Sequence, residues 1–281
     1  MKKTKTIDRI VSWLLLLFLL AFYMFPLYWL AVTAIKTRAQ IFTPVPQFIF
    51  IPTLQNFVDV FVSNRTGVDT NFGFYFSMSI LISTLSTIFS VAIGTMAAYS
   101  LSRFKISGKD DIMFFILSTR MLPPIATLVP LYLIYIRVGL TDTIGGMVLL
   151  YTMFNLGFTV WMMKSFIDEI PPEYEEAALV DGYTRFESFI RIILPQAATG
   201  IATSAVFSLI ASWNEFMFGS ILTTRYARTV PPAVSVTLGI EGYEWGRIAA
   251  TAFIFVLPVL IFTFLVRKSL LRGLTFGAIK R

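Results

Sequence analysis

The sequence predicts an all-α polytopic membrane protein, with six transmembrane helices and a cytoplasmic helix pair between the fourth and fifth. Three observations carry this. The 281 residues are 56% hydrophobic and 14% charged, with a mean hydropathy of +0.75, whereas soluble domains carry about 25% charged residues. The apolar residues gather into runs of about 20, the length a helix needs to cross a bilayer. One polar, helix-forming island, residues 167–195, stands between two of those runs.

The candidate spans are residues 10–35, 72–102, 112–136, 143–163, 197–222 and 248–266. The first follows Lys2, Lys3, Lys5 and Arg9, in the manner of a secretory signal. No charge interrupts Ile10 to Ile35, however, and a signal core spans only about 7–15 apolar residues. It therefore reads as an uncleaved first span. The loop from Lys36 to Asn71 contains Pro44, Pro46 and Pro52, which predict irregular chain with short helical pieces. Pro123, Pro124 and Pro130 should bend or break the third span. The fifth reads as continuous. Trp29, Tyr75, Trp161 and Trp245 fall near predicted interfaces, where amphipathic rings sit well.

Charge sets the orientation. With the amino terminus inside, the inner segments hold 15 of the 23 Lys and Arg, and the outer segments hold seven. Arg120 alone lies within a span. This bias puts both termini and the polar island in the cytoplasm, and it accounts for the net charge of +7 without nucleic acid. The chain has no Cys and no His, which removes disulfides, thiol nucleophiles and imidazole bases together. No catalytic residue and no metal ligand set is expected.

Within the island, Pro171-Pro172 suits the start of a helix, where a missing N–H is harmless. Asp168, Glu169 and Glu173 place negative charge at that positive end. Glu173–Val180 reads as a short helix ended by Gly182. Thr184-Arg185-Phe186-Glu187 is a capping box for a second helix, with Phe186, Phe189, Ile190 and Ile193 on one face. Membrane-surface helices carry Lys and Arg on the polar face. This pair is acidic through Glu173, Glu175, Glu176 and Asp181, so it is expected to dock on a protein. Small Ala177 and Ala178 let its backbone sit deep in a groove, Glu176 offers a charge, and Gly182 permits the turn.

Four polar residues near or inside spans are candidates for a solute pathway: Arg120, Asn155, Asn214 and Glu215. Intramembrane ionisable groups face cavities or partners. The alternative for Arg120 is snorkelling to the inner interface, and for the two Asn it is bonding between helices. Counting along two straight helices puts Arg120 and Glu215 on the order of 15 Å apart in depth, too far for a direct pair.

The pattern Glu176-Ala177-Ala178, three residues, Gly182, nine residues, Ile192-x-Leu194-Pro195 resembles the cytoplasmic coupling loop of bacterial ABC importer permeases, and every fixed position is filled. Trp213-Asn214-Glu215-Phe216 and the tail from Gly273 to Arg281 resemble the maltose-type carbohydrate importer permeases, most closely the shorter six-span partner, across essentially the whole chain. The resemblance implies a heterodimer with a second permease subunit, two ATP-binding subunits beneath, and an extracytoplasmic solute-binding protein. It implies a bacterial cytoplasmic (inner) membrane location. It assigns Glu173, Glu176, Ala177, Ala178, Asp181, Gly182 and Phe186 to the ATPase contact, and Gly273, Gly277 and Lys280 of the tail (267–281) to a second, extended one. ATP and Mg2+ then belong to the partner, and this chain binds no cofactor. That agrees with the lack of a phosphate loop: Ser107-Gly108-Lys109 has Arg103 where the upstream Gly is required. Two other readings compete, a stand-alone ion-coupled secondary transporter and a membrane-embedded enzyme. The first expects paired broken helices, and only the third span looks broken. The second lacks a nucleophile or base.

Overall fold

The computed structural model describes residues 2–62, 71–240 and 244–276, which are helical or in short connections. They form two compact units. One comprises the chain up to Phe72 together with Val234–Pro258, and the other comprises Gly73–Ala233 and the chain from Val259.

In the first unit, helix α1 runs Lys2–Ala34. Residues 9–29 are exposed all round, and an apolar helix without a buried face belongs in lipid or against another membrane subunit. Two short helices follow, α2 (Arg38–Ile41) and α3 (Gln55–Phe61). Thr37 and Gln40 form a reciprocal capping box on α2. Asn56 ties α3 to the end of α1, its amide donating to the carbonyls of Ala34 and Lys36 at 2.8 Å each.

The second unit holds the second to fifth spans, and the last helix runs from the first unit into the second. Helix α4 is Phe72–Arg103, and α7 is Ile144–Asp168. They approach closely at Gly94, where an added Cβ would lie 2.6 Å from Thr159 Cγ2. Between them, α5 (Lys109–Met121) and α6 (Pro124–Arg137) meet at 92°. Leu122 sits before Pro123 with ψ 124°, because the proline ring excludes the helical conformation from its predecessor. This is the break expected of the third span.

The island forms α8 (Glu173–Val180) and α9 (Arg185–Ser188). A π-helical turn at Phe189–Ile193 and α10 (Leu194–Gln196) lead into α11 (Ala198–Trp213) across a 75° bend. The fifth apolar run is not continuous, contrary to the sequence reading. It stops at Trp213 and resumes as α12 (Met217–Leu222). The Asn214 amide bonds back to the Ile210 carbonyl. The Glu215 carboxylate accepts the N–H groups of Phe218 and Gly219 at 2.8 and 3.0 Å. Those N–H groups would otherwise bond to carbonyls one turn earlier, so the side chains compete with the helix for its own bonds. Helix α13 (Val230–Ile240) begins with Pro231-Pro232 in its first turn, and α14 runs Trp245–Phe276. Among the described residues, four helices are long and apolar enough to cross a bilayer, and the two bent pairs bring the number to six.

Two apolar clusters sit at opposite ends of α7. Met147, Leu150 and Tyr151 pack with Ile82, Phe218 and Leu222. Met163 and Ile167 pack with Ala98, Tyr99, Phe189 and Ile193. Between the clusters the contacts are polar. Asn155 donates to Ser212 Oγ at 2.8 Å, Ser86 to Ser212 at 3.1 Å, and the Thr159 and Ser208 hydroxyls lie 3.2 Å apart.

The connection into α7 is held by Asp142, which adopts a left-handed conformation with φ 53°. Its carboxylate accepts the Thr224 hydroxyl and the N–H groups of Arg225, Tyr226 and Ala227 at 2.8–3.1 Å. Partial burial alone would raise its pKa, but the four donors outweigh this and hold it below the usual Asp value. Because the folded pKa is depressed, this contribution to stability is complete above the unfolded value of about 4 and disappears as pH falls through the folded one. Asp142→Asn tolerates the same backbone conformation and should lower stability at pH 7 by about 1 kcal/mol, with solvent on the open side limiting the loss. Thermal unfolding in detergent as a function of pH checks this, since the gap between variant and parent should narrow below about pH 4.

Candidate functional site

Helix α8 is eight residues long, too short to hold its shape alone in water. Acidic residues fill its first turn, where the helix dipole favours them. Its end is a Schellman closure: Tyr183 N–H bonds to Ala178 O, Gly182 N–H to Leu179 O, and Gly182 takes φ +92°. Thr184 and Glu187 then form the predicted capping box. The N–H and hydroxyl of Thr184 hold the Glu187 carboxyl below its usual pKa.

Exposure sorts the residues of the pair. Glu173, Glu176, Ala177, Asp181, Gly182 and Phe186 are exposed, as are Tyr174 and Val180, the latter at 88%. Positions 173, 176, 177 and 180 share one face at helical spacing. Ala178 is 4% exposed and turns inward with Glu175, so it seats α8 on the rest of the chain and is absent from the outer face. Of the four apolar residues expected on one face of the second helix, Phe189 and Ile193 are buried, while Phe186 and Ile190 are exposed. The π turn widens the spacing there, so the four aromatic and aliphatic residues do not keep one face.

Sequence reasoning missed how α8 is attached. Glu175 is buried. Its carboxylate accepts the hydroxyl of Tyr99 and lies 3.2 Å from Arg103 Nε. The Nε and Oε2 atoms meet off the hydrogen-bonding direction, so that contact is ionic. Arg103 also donates from Nη2 to the carbonyls of Ile167 and Ile170 at 3.1 and 2.7 Å, which closes the end of α7. Arg185 stands 3.8 Å from the same carboxylate on the solvent side. Tyr99 and Arg103 are four residues apart on α4, hence on one face. Glu175 and Ala178 share a face at i, i+3 spacing, but nothing in the sequence says which face of α8 points inward.

The polar residues of the spans converge on α7. Arg120 lies 3.4 Å from Asn155 Oδ1 and 5.6 Å from the Phe158 ring centre. Asn155 is buried and also bonds to α11 through Ser208 O and Ser212, so it joins helices. Glu215 accepts the hydroxyl of Tyr151 at 2.8 Å. Tyr151 and Asn155 are one turn apart on α7, about 6 Å along its axis. The sequence estimate of about 15 Å between Arg120 and Glu215 assumed straight helices, and the breaks in α5–α6 and α11–α12 remove that premise. Among the described residues no ion pair joins the two. Asn214 is exposed, and among the described residues its amide bonds to the Ile210 carbonyl of its own helix. In the tail, Gly273 lies within α14 rather than in extended chain, because lengthening an existing helix needs no new nucleus. Gly277 and Lys280 lie outside the described residues.

The first unit contains a cavity of about 520 Å³ lined by Trp29, Thr33, Lys36, Gln40, Gln47 and Trp245, among others. Lys36 donates to Gln47 O at 2.7 Å and sits over the rings of Trp29 and Phe50, so its charge is used within the fold.

Space is open around Gly182, but its φ is left-handed. Gly182→Ala should therefore weaken the helix pair by about 1–2 kcal/mol. Hydrogen exchange over residues 173–188 should quicken while exchange in α7 holds. Gly182→Asn, which accepts that conformation more readily, should give back part of the protection.

Comparison with known proteins places this geometry. Residues 90–272 match the family of binding-protein-dependent transport system inner membrane components. A probable ABC transporter permease protein of Sinorhizobium fredii is 34% identical over 99% of this chain and 98% of its own length. The trehalose/maltose transport system permease protein of Thermococcus litoralis is 32% identical over 92% of this chain and 91% of its own. The fold is shared with a bacterial ABC transporter involved in the import of the acidic polysaccharide alginate, at a TM-score of 0.79 and 20% identity, over 94% of this chain and 97% of that one. The matched residues include α8, α7 and the part of α4 that carries Tyr99 and Arg103, and the chain belongs to the family of binding-protein-dependent transport system inner membrane components.

Proposed function

We propose that this chain is the membrane-spanning permease subunit of an ATP-driven ABC importer that moves a carbohydrate (a sugar, polyol or glycoside) from an extracytoplasmic binding protein into the cytoplasm by alternating access. One observation carries the reading. A short acidic helix, closed at its carboxyl end by backbone hydrogen bonds, presents Glu173, Glu176 and Ala177 outward while its opposite face is fastened to the ends of two membrane helices through Arg103. A feature built that way receives a partner. The carbohydrate class is supported by the trehalose/maltose permease relative and by the Trp213–Phe216 and tail elements.

In this reading the chain pairs with a second permease subunit. Two ATP-binding subunits sit beneath it and use ATP and Mg2+, and this chain performs no hydrolysis itself. The Lys and Arg bias supports placing α8 and both termini in the cytoplasm. Phe186 joins the docking face, and the tail from Gly273 supplies a second contact with the ATPase. Arg120 stands beside a broken helix, the kind of backbone that membranes tolerate where it lines a cavity, which supports a place in the solute pathway. In this reading Asn155 on α7 and Glu215 in the break before α12 belong to the same pathway.

ATP-dependent solute uptake into vesicles carrying the assembled transporter tests the reading. Glu176→Lys reverses the charge at the centre of the docking face and should reduce uptake by tenfold or more, roughly the loss of one charge-assisted contact. Full uptake by that variant, or uptake by the purified chain alone on an ion gradient, would remove the proposal in favour of a secondary transporter.

A further inference from the structure

We propose that Arg103, Tyr99 and Glu175 are positioning residues that carry the movement of the docking helix into the membrane-spanning helices. The inference rests on the permease reading above and assigns the link that the reading requires but does not identify.

A knob that takes up work must be tied stiffly to what it moves. Within the second unit helix α8 has a covalent connection on each side and one attachment made through side chains. On the amino side residues 169–172 lead back to α7, and on the carboxyl side the chain passes through the left-handed turn at Gly182, four residues of α9, a π turn and a 75° bend before it reaches α11, so neither joins α8 covalently to α4. The carboxyl-side route has several places where displacement can be absorbed. The attachment through side chains is direct. The Glu175 carboxylate inserts between α4 and α8, where Tyr99 donates to one oxygen and Arg103 faces the other. The side chains of Arg103 and Glu175 are 9% and 5% exposed, so water does not screen them as it does a surface pair. Arg103 simultaneously holds the Ile167 and Ile170 carbonyls. One guanidinium therefore meets α4, the end of α7 and α8 together. A second contact, Ser102 to Asp168 at 2.6 Å, pins the same two helix ends.

The chemistry chosen is informative. For stability alone, a buried ion pair is often no better than apolar side chains of equal volume. What it adds is a fixed geometry. The guanidinium presents donors in a rigid fork, and a displacement of α8 along α4 stretches charge contacts in a dry site rather than sliding one methyl past another. Work applied to the outer face thus reaches α4, to which neither covalent connection of α8 leads directly.

The experiment uses the complete transporter in proteoliposomes and reads solute imported and ATP hydrolysed in the same vesicles. Docking is read separately. The chain has no native Cys, so Ala177→Cys provides a single site for cross-linking to the ATP-binding subunit. The variants are Glu175→Gln, Tyr99→Phe and the apolar pair Arg103→Met with Glu175→Leu, which leaves no buried charge unpartnered. ATP hydrolysis and cross-linking should persist. Solute moved per ATP should fall about tenfold in the apolar pair, the size expected when one coupled interaction is lost from the working rearrangement, and by less in Tyr99→Phe. An unchanged ratio in the apolar pair would overturn the inference. So would loss of cross-linking in step with uptake, because the three residues would then only shape the docking face. A parent transporter without ATP-dependent uptake would instead defeat the permease reading itself.

Discussion

A carboxylate kept out of water at the base of an eight-residue helix is the constraint on which the rest of the second unit turns. Glu175 can be buried only because Tyr99 and Arg103 meet it there. Those two reach it only because α4 continues as regular helix to its last residue. Arg103 in turn closes the carbonyl end of α7. Removing one partner from such a group leaves a charge uncompensated, at a cost of about 3–5 kcal/mol. Glu173, Glu176 and Ala177 point outward because Glu175 and Ala178, on the same short helix, point in.

The same unit is packed differently at its centre. In lipid there is little hydrophobic drive to bring apolar helices together, so small residues and interhelical hydrogen bonds take over. Gly94 against Thr159 brings α4 onto α7, and Gly200 against Phe166 does the same for α11. Ser86, Ser208 and Ser212 bond across the resulting seam with Asn155 and Thr159. The two apolar clusters at either end hold the bundle together, and the polar seam between them fixes the register. Shear between packed helices proceeds by small sliding steps, and short side chains along the seam present few large obstacles to such steps.

Both helix breaks serve this arrangement. Pro123 ends α5 just after Arg120, and Glu215 stops α11 by taking the N–H groups of the next helix. Each break sits beside α7, which meets Arg120 through Asn155 and Glu215 through Tyr151. A proline announces the first break from sequence alone. The second is made by side chains that compete with the backbone, and that competition is visible only once Asn214 and Glu215 have definite rotamers.

The sequence by itself determined the membrane class, the island between the fourth and fifth spans, its two caps and the glycine turn. These follow from local rules: run length against bilayer thickness, proline at a first turn, a hydroxyl three residues before a glutamate, and a glycine where φ is positive. It also carried the family pattern, because that pattern is written in a contiguous stretch. Tertiary structure alone decided that Glu175 and Ala178 turn inward while Glu176 and Ala177 face out. It also decided that Tyr99 and Arg103 anchor Glu175, that Phe189 and Ile193 turn inward while Phe186 and Ile190 stay exposed, and that Arg120 and Glu215 meet α7 one turn apart. The physical reason is the same in each case. Which face of a short helix is buried depends on groups more than 70 residues away in the chain, and no local propensity encodes where those groups arrive.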